Sequence, residues 1–325
     1  MRDPRGRTID SLRVSVTDRC NLRCVYCMPA GSVSFAPGPE VLTVNEIEDV
    51  VGFLVENAGL HRVRITGGEP LLRPDLPRLV ERLRRLDIRD LSLTTNGQLL
   101  APRARSLKEA GIDRVNVSMD SLDAERFRRV RRGGEAAKTL AGIDAALREG
   151  LVPVKLNVVL LRGVNDGELV EFVSFGIDRG IEVRFLELMA IGEAVPIHAD
   201  RFLSMDDALE RLRRVFRVER IPRPDGSPSI PFAVSNGRGF RGTIGFIPPV
   251  SRPFCGACRR LRLSATGLLR GCLMNEGGAD LAPIFREAPA GDRRGRLGEA
   301  FRRVVLEKPR MSGMRTGIGM RTLGG

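Results

Sequence analysis

Residues 12–27 read Leu-Arg-Val-Ser-Val-Thr-Asp-Arg-Cys-Asn-Leu-Arg-Cys-Val-Tyr-Cys, a β-branched run that gives way to polar residues and then to three cysteines. The alternation of apolar and polar residues over Leu12–Val16 is the pattern of a strand. The same opening recurs along the chain at Arg62–Thr66, Leu91–Thr95, Arg114–Met119, Pro153–Leu161 and Val183–Met189. Each run ends in polar or glycine residues, and an amphipathic segment follows it. Leu79, Leu83 and Leu86, or Ile143, Ala146 and Leu147, recur at helical spacing in two of these segments. Strands that alternate with helices predict parallel βαβ units. Six units rather than eight predict an α/β fold, an incomplete (βα)6 TIM-type barrel with one side open. In barrels of this type the loops at the carboxyl ends of the strands carry the chemistry, and residues 17–27 form the first such loop.

After about Ala190 the pattern changes. Ser204 is placed to cap a helix running to Phe216, and a second helix is expected over Leu297–Leu306. Between them lie proline- and glycine-rich stretches at Ile221–Pro231, Asn236–Gly242 and Pro248–Pro253, with short strand-like runs between these. The expected division is a barrel domain over 1–200 and a smaller, irregular domain over 201–325 that closes the open side. The glycine-rich segment Met311–Gly325 reads by composition as a mobile end.

The chain has 325 residues, 42% of them apolar and 29% charged, which excludes collagen-like and disordered classes. It is long enough to bury a core without disulfides. Basic residues number 53 against 40 acidic ones, a formal charge of +13. Only Lys108, Lys138, Lys155 and Lys308 are lysines; the rest are arginines. Such a charge attracts polyanions, so nucleic acid and nucleoside phosphates enter as candidate partners. No apolar stretch approaches the roughly 20 residues of a membrane span, and no apolar leader opens the chain, so a cytoplasmic protein without membrane contact is expected. His61 and His198 are the two histidines and Tyr26 the one tyrosine. Both histidines read as structural, which leaves little room for histidine acid–base chemistry.

The six cysteines fall into two groups, Cys20, Cys24, Cys27 and Cys255, Cys258, Cys272. Clustering of this kind is unlike the disulfide frameworks of short secreted chains. Structural zinc takes four ligands, and neither group holds a fourth cysteine or a nearby histidine. Three thiolates on an iron–sulfur cube, which usually has four, would leave one iron with an open coordination position. A zinc site shared between the groups, in a basic nucleic-acid-binding protein, is the competing reading from another class. It leaves the barrel pattern and the incomplete ligand sets unexplained.

The C-x3-C-x2-C spacing with Tyr26 inside it resembles the radical S-adenosylmethionine (SAM) enzymes. Further segments are similar to one of their families, the GTP 3′,8-cyclases of molybdenum cofactor biosynthesis. These are Arg13 to Cys20, Arg64-Ile-Thr-Gly-Gly-Glu-Pro70, Thr94-Thr-Asn-Gly97, Asn116-Val-Ser118, Phe254-Cys-Gly-Ala-Cys258 with Arg260-Leu-Arg262, and Gly324-Gly325. The resemblance implies a radical rearrangement of GTP to (8S)-3′,8-cyclo-7,8-dihydroguanosine 5′-triphosphate. It implies that Cys20, Cys24 and Cys27 hold a catalytic [4Fe–4S] cluster, and that Tyr26, Gly68, Ser118 and Met189 contact SAM. Cys255, Cys258 and Cys272 would hold a second [4Fe–4S] cluster whose open iron receives guanine. Arg13, Arg64, Thr94, Lys155, Arg260, Leu261 and Arg262 would bind GTP. Arg13 and Lys155, with the terminal Gly324 and Gly325, would serve catalysis. Arg259 stands where the family commonly has asparagine. The implied partners are a reductant protein and, downstream, cyclic pyranopterin monophosphate synthase; nucleic acid is not among them, and a homodimer is compatible with the reading. Another radical SAM enzyme with an auxiliary cluster, such as a peptide-modifying maturase, is the alternative; it does not explain the arginines or the final diglycine.

Overall fold

In the computed structural model the described residues are 1–223, 226–237, 239, 241–275, 277–309 and 315–316. Six parallel strands follow the runs expected from the sequence: β1 (Ser11–Ser15), β2 (Arg62–Thr66), β3 (Asp90–Thr95), β4 (Arg114–Ser118), β5 (Lys155–Leu160) and β6 (Glu182–Glu187). Each neighbours the next in the sheet, with helices between them. Local chemistry marks the helix ends. Thr43 and Glu46 form a reciprocal capping box at the start of helix Val44–Ala58, and Gly59, at φ 66°, ends it in the left-handed region. Asp123 caps helix Ala124–Arg131.

The segment beyond residue 201 adds strands to both edges of this same sheet. A two-residue strand, β7 (Ala190–Ile191), precedes β8 (Arg217–Arg220), β9 (Ile230–Ser235) and β10 (Arg241–Ile247). Then come β11 (Arg260–Leu263), β12 (Leu268–Arg270), β13 (Ala279–Asp280) and β14 (Arg315–Thr316), the last paired with β7. The sheet order is β13-β12-β11-β1-β2-β3-β4-β5-β6-β10-β9-β8, twelve strands in all. β11 runs parallel to β1 and β10 parallel to β6, so the later strands flank the six-unit core on either side. One continuous apolar core joins Leu12 and Val14 to Leu261, Leu263, Phe232 and Phe246. The hairpin expected to turn near Ala265-Thr-Gly267 is the β11–β12 pair.

Two helix boundaries differ from the sequence reading. The helix capped by Ser204 spans Met205–Arg213 rather than reaching Phe216; Arg214–Phe216 turn into β8. The last helix begins at Ala290, seven residues before Leu297, with Pro289 at its N-cap. Gly291 and Gly295 hide that start, because glycine weakens any helical pattern. No helix among the described residues is long and apolar enough to cross a membrane.

Candidate active site

The first cysteine triplet lies on the loop after β1 and faces a cavity of about 150 Å³ that Gly67, Gly68, Asn96, Ser118 and Arg131 also line. The ends of β2 and β3 shape its wall. Glu69 is fully buried; its carboxylate accepts from Leu71 N at 3.0 Å, Thr95 Oγ1 at 2.7 Å and Asn96 N at 2.7 Å. Asn96 in turn donates to Asn21 Oδ1 at 2.8 Å and to Cys20 Sγ at 3.9 Å. The Gly-Gly-Glu-Pro segment is therefore a brace as well as a cavity wall. A Cβ on Gly68 would stand 2.3 Å from Arg19 O, and one on Gly67 2.6 Å from Thr17 O, so close packing against the cysteine loop requires both glycines.

A buried polar network backs the same loop. Tyr26 Oη donates to Asp120 Oδ2 at 2.6 Å, and Arg131 Nε lies 2.9 Å from the same oxygen. Arg131 Nη1 also donates to Cys24 Sγ at 3.5 Å. Burial pushes the Tyr26 hydroxyl well above its ordinary range, with Asp120 adding to the rise against the lowering field of Arg131, so it remains a donor.

Burial pushes the Cys20 thiol up to about 11, and raises Cys27 as well with help from its neighbouring cysteines. Three thiolates here need cationic charge between them, which is what a metal cluster brings. Among the described residues, no three Cys, His, Asp or Glu side chains converge on a single-ion point. The three thiols border one cavity, a donor set of soft sulfur ligands that fits an iron–sulfur group.

The second triplet borders a central cavity of about 270 Å³. Cys255 and Cys258 bracket the turn before β11, and Cys272 follows β12. Tyr26, Thr94 and Ser118 line both this cavity and the first, so the two cavities share a wall, with one triplet bordering each. Met189 lines the central cavity too. For Cys258, burial acts upward, but Arg260 and Lys308 outweigh it and bring the thiol down to about 6. This triplet thus sits in a cationic setting, where thiolate ligands form readily.

A third cavity of about 380 Å³ adjoins the central one, sharing Arg13, Arg64, Arg184 and Arg260 with it and adding Lys155. The parallel register of β11 on β1 and β1 on β2 puts Arg13 beside both Arg262 and Arg64. Burial and the neighbouring guanidiniums of Arg262, Arg260 and Arg64 push Arg13 well below its ordinary value. Arg64 is brought down to about 9 by burial, with Arg114 and Arg184 adding to it, and Arg262 to about 10 by burial and Arg260. Among the described residues neither Arg13 nor Arg64 has a carboxylate partner within ion-pair distance. Arginines crowded in this way favour an incoming polyanion, which relieves their mutual repulsion.

Arg260 and Arg262 line the central cavity, as strand alternation requires. The side chain of Leu261 is fully buried in the core beside Leu12, so a contact of this residue with a ligand would be made by its backbone. Gly324 and Gly325 lie outside the described residues. His61 and His198 line none of these three cavities; His198 Nε2 contacts Leu188 O at 3.0 Å. Arg259 pairs with buried Asp10. The sequence reading missed Glu69, Asn96, Asp120, Arg131, Arg184 and Lys308. Glu69 and Asn96 stand inside motifs already quoted, and Arg184 was visible as a charge inside an apolar strand. Arg131 carried no local signal.

Comparison with known proteins places these observations in a family. The profile of the Radical SAM superfamily matches residues 14–176, and that of Molybdenum Cofactor Synthesis C matches residues 181–314. A GTP 3′,8-cyclase from Listeria welshimeri is 44% identical over 290 residues, covering 88% of this chain and 86% of that protein. One from Moorella thermoacetica is 41% identical over 319 residues, covering 98% and 96%. Among solved structures, Streptococcus suis SuiB bound to precursor peptide SuiA superposes with a TM-score of 0.61 at 15% identity, over 95% of this chain and 67% of that one. That likeness concerns the fold alone.

Proposed function

The chain belongs to the GTP 3′,8-cyclase family of the radical SAM superfamily, and from that premise we propose that it converts GTP to (8S)-3′,8-cyclo-7,8-dihydroguanosine 5′-triphosphate, the first step of molybdenum cofactor biosynthesis. The observation that carries this reading is a set of adjoining cavities: one bordered by Cys20, Cys24 and Cys27, the next bordered by Cys255, Cys258 and Cys272 and lined by Arg13, Arg64, Arg184, Arg260 and Arg262.

In this reading Cys20, Cys24 and Cys27 hold a [4Fe–4S] cluster with SAM, a pair that supplies a 5′-deoxyadenosyl radical able to take hydrogen from ribose C3′ of GTP. Tyr26, Gly68, Ser118 and Met189 form the SAM wall; Tyr26 is fixed by Asp120, and Gly68 by its contact with the cysteine loop. Cys255, Cys258 and Cys272 hold a second cluster and receive the guanine end. The arginines and Lys155 grip the triphosphate, and Thr94 at the end of β3 meets the nucleoside. The work of these residues is to fix the distance between C3′ and C8 and to keep water away from an open-shell intermediate. Gly324 and Gly325 reach the substrate in this reading; having no side chains, they can enter a narrow channel. A reductant protein supplies the electron, and cyclic pyranopterin monophosphate synthase takes the product.

Anaerobic incubation with SAM, dithionite and GTP, followed by mass analysis, tests it. Equal amounts of 5′-deoxyadenosine and a cyclised nucleotide are expected. SAM cleavage that is indifferent to GTP would overturn the substrate assignment. One or two zinc ions per chain and no iron would overturn the cluster assignment.

A further inference from the structure

Lys308, one of only four lysines, is 1% exposed and stands just past the end of helix Ala290–Leu306. Its Nζ donates to Cys258 Sγ at 3.6 Å, to Arg260 O at 2.8 Å, and to Gly271 O. An ammonium has three N–H donors, and these three acceptors use all of them. Among the described residues no carboxylate lies within ion-pair distance of Lys308. A buried charge needs a compensating anion, and the nearest candidate is the thiolate of Cys258. The acceptors also have a meaning in the chain. One belongs to Cys258, and another to Gly271, which immediately precedes Cys272. A single ammonium therefore ties together the two arms of the hairpin that carries the second triplet.

The remaining cysteine of the triplet, Cys255, on the same arm as Cys258, is held by a neighbour. Arg7 Nη1 donates to Cys255 O at 2.8 Å, while Nη2 donates to Pro309 O at 3.0 Å and Lys308 O at 3.3 Å. Asp3 fixes Arg7 from behind, Nε to Oδ2 at 2.6 Å. Cys255, Cys258 and the residue before Cys272 are thus gripped by the segment that follows the last helix and by the N-terminal loop. Neither segment supplies a thiolate.

We propose that Lys308 is a positioning residue that clasps the arms of the second triplet in ligating register and gives the cluster bound there an outer-sphere cation. The inference rests on the reading that Cys255, Cys258 and Cys272 hold an iron–sulfur cluster, and goes beyond it by assigning who sets that cluster's potential and retention. A hydrogen bond to a cluster sulfur, and a positive charge beside it, stabilise the reduced form and raise the reduction potential.

The test compares the full-length protein with Lys308→Met, which keeps the length of the stem, and with Lys308→Gln, which keeps a donor without the charge. Each is reconstituted anaerobically, titrated redox-wise under electron paramagnetic resonance, and challenged with an iron chelator. The unaltered protein should hold about eight irons and show two signals. In Lys308→Met the second signal should titrate at lower potential, and its iron should leave at least about tenfold faster, equivalent to about 1.4 kcal/mol. Lys308→Gln should retain iron better than Lys308→Met while showing the same direction of potential shift. The first cluster, ligated some 230 residues away in the sequence, is the internal reference and should not move. Only about four irons in the unaltered protein would refute the two-cluster reading itself. Two clusters in the unaltered protein, with unchanged potential and iron loss in Lys308→Met, would overturn the role of Lys308 alone. So would equal loss of both clusters.

Discussion

Lys155 Nζ lies 2.9 Å from Glu182 Oε2 across the β5–β6 register, and the other oxygen of the same carboxylate accepts from Arg184 Nε at 2.8 Å. One glutamate thus aims two cations at the basic cavity. Despite its partner, Lys155 is held below its ordinary value of 10.5, because burial and Arg184 outweigh Glu182.

It follows that GTP affinity should weaken with rising pH before free lysine would titrate. The charged form of Lys155 grips the triphosphate, and its lowered pKa begins to remove that charge below pH 10.5. Calorimetry near pH 9 in buffers of different ionisation enthalpy should therefore show proton uptake on GTP binding. Lys155→Met should reduce the uptake, leaving the part that the lowered Arg64 and Arg262 supply, and weaken GTP roughly 10- to 150-fold, as for loss of a hydrogen bond to a charged group worth about 1.5–3 kcal/mol. Uptake undiminished in the variant would show that Lys155 is not among the groups that titrate on binding.

The two triplets should be separable by mutation. Cys24→Ala should abolish SAM cleavage, while Cys258→Ala should leave uncoupled cleavage and chiefly impair GTP binding. Native-rate 5′-deoxyadenosine from Cys24→Ala would refute the assignment of the first triplet.

Arg131 is 3% exposed and Asp120 fully buried, so Arg131→Met strands a carboxylate in the core. The expected loss is about 3–5 kcal/mol, as for breaking one side of a buried pair. Arg131→Met combined with Asp120→Asn should recover part of that stability in chemical denaturation. A double variant less stable than the sum of its parts would contradict the ion-pair account.

Gly68→Ala should slow cluster assembly at Cys20, Cys24 and Cys27, because the added methyl meets the backbone at Arg19. Gly31→Ala, where nothing lies within 4 Å, is the matched control. Iron uptake kinetics that are equal in both would remove the packing argument.

Acid stability has a named contributor in Asp3. Burial acts upward on its carboxyl, but hydrogen bonds from Arg7 and Arg5 win and hold it below 3.8. Its contribution is present above that value and lost as pH falls through the lowered one. Asp3→Asn should flatten the stability curve in this window, measured by denaturant midpoints from pH 5 to pH 2.5. An unchanged acid limb would show that other carboxylates govern it.

The six parallel strands were legible because each is written locally: a β-branched run of a few residues, a polar break, then an apolar stripe at helical spacing. The cysteine triplets were legible for the same reason, each ligand lying within a short span or one hairpin of the others. Arg260 and Arg262 could be assigned to one face from strand alternation alone. Beyond residue 201 the proline- and glycine-rich stretches are mostly connections and the short runs between them are strands; what read as a separate irregular unit joins the barrel sheet because β10 pairs with β6 and β11 with β1, pairings no local pattern shows. Leu261 shows the limit from the other side: membership of a motif did not tell which way its side chain points, and the register on Leu12 did.

The sequence by itself determined which elements form and which thiols group together, since both depend on neighbours along the chain. Tertiary structure alone decided that β11 lies on β1, bringing Arg13 to Arg262. It alone brought Arg131 to Cys24 across 107 residues and Lys308 to Cys258 across 50. These pairings depend on sheet order and on where a helix ends against it. They arise from burying one shared apolar core, a property of the whole chain that no local pattern encodes.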